Sequence, residues 1–163
     1  MNYIVFGIVL ALLAYKGIAS PEASTQLIGG SYDELYRKYG QAVGIDWQLI
    51  KAVAIVESGE NPKAFNPNDP SYGLMQIVYP ATRNIDDWPP ENANKLYDPD
   101  YNIKVGSRIL AWGIQKYGIS RGIAVFNRYA SRLDPPEGPF GNQAYVDKVF
   151  RVYTQLGGRG GLE

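Results

Sequence analysis

The sequence predicts one mainly α-helical domain, and three observations lead there. Apolar residues recur at helical spacing in several runs bounded by capping residues. No stretch alternates convincingly as a strand. The chain has 163 residues, 45% hydrophobic and 20% charged, which is enough to bury a single core.

The elements follow in chain order. Tyr3 to Tyr15, YIVFGIVLALLAY, carries no charge and precedes Lys16. It is short for a bilayer span and the right length for the apolar part of a signal peptide. With no basic residue ahead of it, an uncleaved signal-anchor and a removed signal peptide stay equally open, and a buried core helix is the third reading. Residues 1–20 are assigned to this apolar helix, 21–30 to a small-residue linker, 31–156 to the folded domain and 157–163, GGRGGLE, to a flexible tail.

Ser31 and Glu34 have capping-box spacing, and Leu35, Tyr36, Tyr39 and Val43 follow at helical intervals. Asp46 caps a second helix over WQLIKAVAIVES, with Leu49, Ala52, Val53 and Val56 as its apolar stripe and Gly59 as its stop. Asp98 followed by Pro99 opens a third, with Ile103, Leu110, Ile114 and Tyr117 facing inward and Gly118 ending it. Two shorter helices cover SRGIAVFNRYA and NQAYVDKVFRVYTQL.

Composition narrows the chemistry. Sixteen basic residues balance sixteen acidic ones, so no nucleic-acid partner is indicated. With no histidine and no cysteine, Ser/His/Asp and Cys/His triads, thiolate nucleophiles and the usual zinc sites are excluded. An enzyme built from this chain works with carboxylates, hydroxyls, amides, Lys or Arg.

Glu57 draws attention on those terms. Ile50, Val53, Ala54 and Glu57 stand at i, i+3, i+4 and i+7, so the carboxylate continues an apolar row. Desolvation and the negative end of the helix both disfavour its ionised form, which suits a general acid near neutrality. The plain alternative is a solvated glutamate at an exposed helix end.

The ordered motifs ESGENPKAFNPNDPSYGLMQI, PAT at Pro80 to Thr82, LYDPDYNIKVGSRILAWGIQKYG, AVFN and AYVDKV resemble those of the soluble lytic transglycosylase family, related to goose-type lysozymes, over roughly Ser31 to Leu156. The resemblance implies a lysozyme-like helical domain with room for a very small β element near the cleft. It implies cleavage of the β-1,4 bond between N-acetylmuramic acid and N-acetylglucosamine in peptidoglycan, leaving 1,6-anhydromuramyl ends. Glu57 is then the sole catalytic acid and base. Ser58 stands beside it, Gly73, Leu74, Met75 and Gln76 line the sugar cleft, Asn127 faces the saccharide, and the Tyr145 hydroxyl orients Glu57. Met75 and Tyr145 can also be ordinary core residues.

Where the family has Tyr-Asn-Ala-Gly, this chain has Phe126, Asn127, Arg128 and Tyr129, so a phenol is lost and a charge added. No metal or cofactor is implied. Asn66, Asn68 and Asp69 are expected to form turns, and Asp86 and Asp87 are the acidic pair a hydrolytic scheme would draw on. A hydrolytic muramidase and a non-catalytic wall-binding component are the rival readings. The expected setting is the periplasm or a membrane surface facing the wall, with glycan strands as substrate, the N-terminal segment in the membrane, and a secretion machine or virion as associate.

Overall fold

The computed structural model describes residues 32–79, 92–129 and 142–159, and contacts divide the chain into two units, Met1–Ser31 and Tyr32–Glu163. The apolar N-terminal run, the linker and the pair Asp86 and Asp87 lie outside the described residues, as does most of the tail. Among those described, no helix is long and apolar enough to cross a membrane.

Among the described residues, the second unit forms five helices and a small sheet: α1 (Asp33–Val43), α2 (Trp47–Ser58), β1 (Phe65–Asn66), β2 (Ser71–Tyr72), β3 (Ile77–Val78), a 3-10 turn (Ala93–Tyr97), α3 (Pro99–Tyr117), α4 (Ile119–Tyr129) and α5 (Gln143–Gln155). The mainly helical class expected from the sequence is observed. The antiparallel sheet pairs Phe65 with Tyr72, Asn66 with Ser71, Ser71 with Val78 and Tyr72 with Ile77. Its strands are two residues long, too short to show alternation in the sequence.

Most expected caps are present. The Asp46 carboxylate accepts from the Gln48 amide at 3.0 Å, and Gly59 closes α2 in the left-handed region. Asp98 accepts from the Asp100 amide at 3.0 Å with Pro99 in the first turn, and Gly118 ends α3. Ser31 of the expected capping box lies outside the described residues. Helix α1 begins at Asp33, with Tyr32 in the cap position and no side-chain cap hydrogen bond. Asp33 instead pairs with Lys51 of α2 at 2.5 Å, an ion pair between neighbouring helices.

Helix α3 packs against α1 and α4, while α2 packs against α1 and α5. The shared core contains Ile50 and Val53 of α2, Ile103 and Leu110 of α3, Ile123 of α4 and Val149 of α5. Two side-chain bonds fasten the start of α2 to the end of α5: the Tyr153 hydroxyl donates to Asp46 Oδ2 at 2.7 Å, and Gln48 Nε2 donates to the Leu156 carbonyl at 2.5 Å. Helices α3 and α4 cross closely at glycine, since a Cβ on Gly122 would lie 2.5 Å from the Ile114 nitrogen.

One buried amide joins the sheet to the helices. Asn102 of α3 is fully buried, accepts from the Met75 amide at 2.8 Å, and donates to the Tyr72 and Leu96 carbonyls, each at 2.8 Å. Gly73, at φ +73°, lies so near that a Cβ there would come within 2.5 Å of Asn102 Nδ2. Asn102→Ala would leave one buried donor and two carbonyls unpaired, and the expected loss is about 3–4 kcal/mol. Urea denaturation measures it, and a loss below about 1 kcal/mol would contradict this account.

Candidate active site

The last turn of α2, the sheet, α3 and α4 enclose a cavity of about 210 Å³. Glu57 enters it from the end of α2, Asn66, Asp69 and Ser71 come from the sheet side, Ile109 from α3, and Phe126 and Asn127 from α4. Glu57 is half-buried, and the apolar row that carries it is in the core: Ile50, Val53 and Ala54 have no exposed surface. A buried row leading to a part-desolvated carboxyl is what the spacing in α2 predicts.

Three groups surround that carboxyl. The Tyr145 hydroxyl of α5 donates to Glu57 Oε1 at 2.5 Å. Asn127 of α4 is a further side-chain hydrogen-bond partner, and Lys148, one turn beyond Tyr145, adds a positive charge. Burial raises the Glu57 pKa from the ordinary 4.5 to about 7, against the opposing pull of Tyr145, Asn127 and Lys148. Burial, with the adjacent carboxylate, also drives the Tyr145 pKa well above that of a free phenol, so Tyr145 remains a donor. A carboxyl that titrates at neutrality can give up a proton and take one back in a single cycle.

The other expected site residues are divided. Gln76 lines the cavity at φ +47°, an unusual backbone conformation for a side-chain-bearing residue. Its amide is turned back on its own loop, donating to the Gly73 carbonyl at 3.0 Å and accepting from Ser71 Oγ at 3.0 Å. Ser58, Gly73, Leu74 and Met75 stand behind the cavity wall. The Ser58 hydroxyl donates to the Leu74 carbonyl at 2.7 Å, and Gly73 makes its close approach to Asn102 and Leu96. Leu74 and Met75 are fully buried, so their side chains offer a ligand no surface. Met75 fills the space left by the missing side chain of Gly106, where a Cβ would lie 2.3 Å from its sulfur. Core packing, the alternative for Met75, is what the structure displays.

Some contributors were not anticipated. Asn66 forms the expected turn, accepting from the Asn68 amide at 3.1 Å, but both it and Asp69 also line the cavity. Asp69 therefore supplies a second carboxylate to the same space as Glu57; its NPNDP setting signals only a turn. Phe126 is a wall residue, and Arg128 and Tyr129 close α4 with side chains outside the described residues. Among the described residues no cluster of three or more acidic side chains could hold a metal.

Similarities to known proteins bear on the family and the fold. The family model "Transglycosylase SLT domain" matches residues 34–132. The chain is 36% identical over 85 residues to a membrane-bound lytic murein transglycosylase C of Sodalis glossinidius, covering 49% of this chain and 24% of that protein. It is 32% identical over 112 residues to a soluble lytic murein transglycosylase of Escherichia coli strain K12, covering 64% of this chain and 16% of that protein. The crystal structure of the 70 kDa soluble lytic transglycosylase from Escherichia coli is similar in fold, with a TM-score of 0.63 and 25% identity over 77% of this chain and 24% of that one. The chain thus spans a quarter or less of the length of each of these relatives.

Two outcomes are expected from the electrostatics. Between about pH 4.5 and 7 the folded protein holds a proton on Glu57 that the unfolded chain has released, so this residue's contribution to stability falls as pH rises through that window. Glu57→Gln should therefore be more stable than the parent at pH 8, by on the order of 2–3 kcal/mol, with the gap closing towards pH 4.5 in urea titrations. Separately, Tyr145→Phe removes a donor to the carboxylate and should raise the Glu57 pKa by about one unit, followed by carbon-13 NMR of the labelled carboxyl.

Proposed function

Because the chain belongs to the transglycosylase SLT domain family, we propose that it is a lytic transglycosylase that cleaves the β-1,4 bond between N-acetylmuramic acid and N-acetylglucosamine in peptidoglycan. The observation that carries this reading is the half-buried Glu57 carboxyl, poised at about pH 7 at the cavity and hydrogen-bonded by Tyr145.

The cycle needs one carboxyl. Protonated Glu57 gives its proton to the glycosidic oxygen, and the bond to the muramyl C1 breaks through an oxocarbenium-like state. The ionised Glu57 then takes the proton of the same sugar's 6-hydroxyl, whose oxygen closes on C1. The products are a free N-acetylglucosamine hydroxyl and a 1,6-anhydromuramyl end, with Glu57 protonated again and no water consumed. Tyr145 donates to Oε1, and that bond stabilises the carboxylate between the two steps. Burial keeps the acid protonated at the start. Gln76 and Asn127 are placed beside the bound sugar in this scheme, and Ser58, Gly73, Leu74 and Met75 hold the wall.

Asp69 favours a second reading, hydrolysis, because a second carboxylate in the cavity is what a water-activating scheme requires. In that case Asp69 takes the place that the sequence suggested for Asp86 or Asp87.

The domain acts outside the cytoplasm, on the wall, in this proposal. The apolar segment within residues 1–20 carries it to or holds it at the membrane, and local wall opening for a secretion apparatus or a phage particle is the setting that fits. The relatives' names include both membrane-bound and soluble enzymes, which supports action at the wall by either route.

Glu57→Gln should fold, retain glycan binding and lose cleavage by about two to four orders of magnitude. Mass spectrometry of a parent digest should show muropeptide ends lighter by one water than hydrolytic ones, without label from heavy-oxygen water. Labelled reducing ends that disappear in Asp69→Asn would establish the hydrolytic reading instead, and wild-type cleavage by Glu57→Gln would remove the assignment altogether.

A further inference from the structure

Asn142 stands at the N-cap of α5, where an asparagine side chain ordinarily accepts from an amide of the first helical turn. It makes no such bond. Its Nδ2 donates twice instead, to the Ala124 carbonyl of α4 at 2.9 Å and to Asn127 Oδ1 at 3.0 Å, while its own Oδ1 is buried with no partner among the described residues. The side chain forgoes a helix cap and leaves an acceptor unsatisfied, and both are costs that need a return.

The polarity of this chain of groups follows from its first member. A backbone carbonyl only accepts, so the Asn142 group facing Ala124 is the NH2. The Asn127 atom facing that NH2 is therefore its oxygen, which leaves the Asn127 NH2 free to favour the ionised carboxyl of Glu57, with which Asn127 lines the cavity. With the opposite amide orientation, Asn127 would present an oxygen to an ionised carboxylate.

We propose that Asn142 is a positioning residue that fixes the orientation of the Asn127 amide, so that its NH2 always meets the Glu57 carboxylate. The proposal deepens the reading of Glu57 as the acid and base and rests on it for its catalytic meaning. The relay supports the second half of the cycle, when Glu57 is ionised and must persist until it receives the next proton. The other groups acting on that carboxyl are Tyr145 and Lys148 from α5, and Asp69 lines the same cavity. The facing side chains of α3 and β3, Ile109, Ile77 and Val78, do not titrate.

The test is a carbon-13 NMR titration of Glu57 in the full chain, which needs no substrate. Asn142→Ala should raise the Glu57 pKa by about half a unit to one unit, and the basic limb of the kcat/KM profile should move up with it. In an Asn127→Ala background the same substitution should produce no further shift, because its effect passes through Asn127. Lower activity or thermal stability with an unmoved titration, or an equal shift without Asn127, would overturn the proposal. Should Asn142→Ala not fold, the unaltered protein decides: the Asn127 NH2 protons should shift as Glu57 titrates, and their invariance would overturn it. Activity failing while the titration behaves as expected would instead count against Glu57 as the acid.

Discussion

The cavity depends above all on one fully buried amide. Asn102 bonds the Tyr72 carbonyl at the end of β2, the Met75 amide within the Gly73–Gln76 turn and the Leu96 carbonyl of the 3-10 turn before α3. A three-strand sheet of two-residue strands has too little ladder to stand alone. It is kept in place because its polar backbone is paired to a helix, and the same pairing requires Gly73, since any side chain there would collide with the amide. Ser58 completes the arrangement from the other direction by bonding the Leu74 carbonyl, so the end of α2 and the turn opposite it are joined directly beside Glu57.

On that frame, the acid's behaviour is settled by a competition. Tyr145, Asn127 and Lys148 all favour ionised Glu57, yet the pKa rises because removal from water outweighs them together. Burial alone would give an acid too weak to release its proton and resume as a base. The donors without burial would give a permanent carboxylate. The two acting together leave a group that exchanges protons near neutrality. The folded state is least favoured where that group is ionised, so function and stability pull in opposite directions at this position.

Much of this was legible in the sequence because local chemistry dictated it. Asp46, Asp98 with Pro99, and Gly59 mark helix ends through hydrogen bonds made within a few residues of themselves. The row from Ile50 to Glu57 exposed the acid because helical spacing fixes which residues share a face. The failures share another physics. Asp33 has a charged partner on α2, Lys51, and such a partner cannot be seen locally. The Gly-Leu-Met-Gln motif was recognisable as a motif, while the close approach at Gly73 and the burial of Met75 depended on Asn102 and Gly106 far along the chain. Asp69 and Asn142 resemble a turn former and a helix cap, and only the folded neighbours give them other employment.

The bonds between Asp46 and Tyr153 and between Gln48 and Leu156 have a mechanical consequence. They fasten α2 and α5 at one end, and the Glu57–Tyr145 contact lies at the other, roughly 16 Å away along α2 by the helical rise. The two helices are thus a pair of arms with a fixed pivot and a narrow jaw. Over that length an angular change of only about 4° displaces the jaw by about 1 Å, enough to part a phenol and a carboxylate that meet at 2.5 Å. Substitutions at the pivot, remote from any sugar, therefore act on the acid with the leverage of the whole helix.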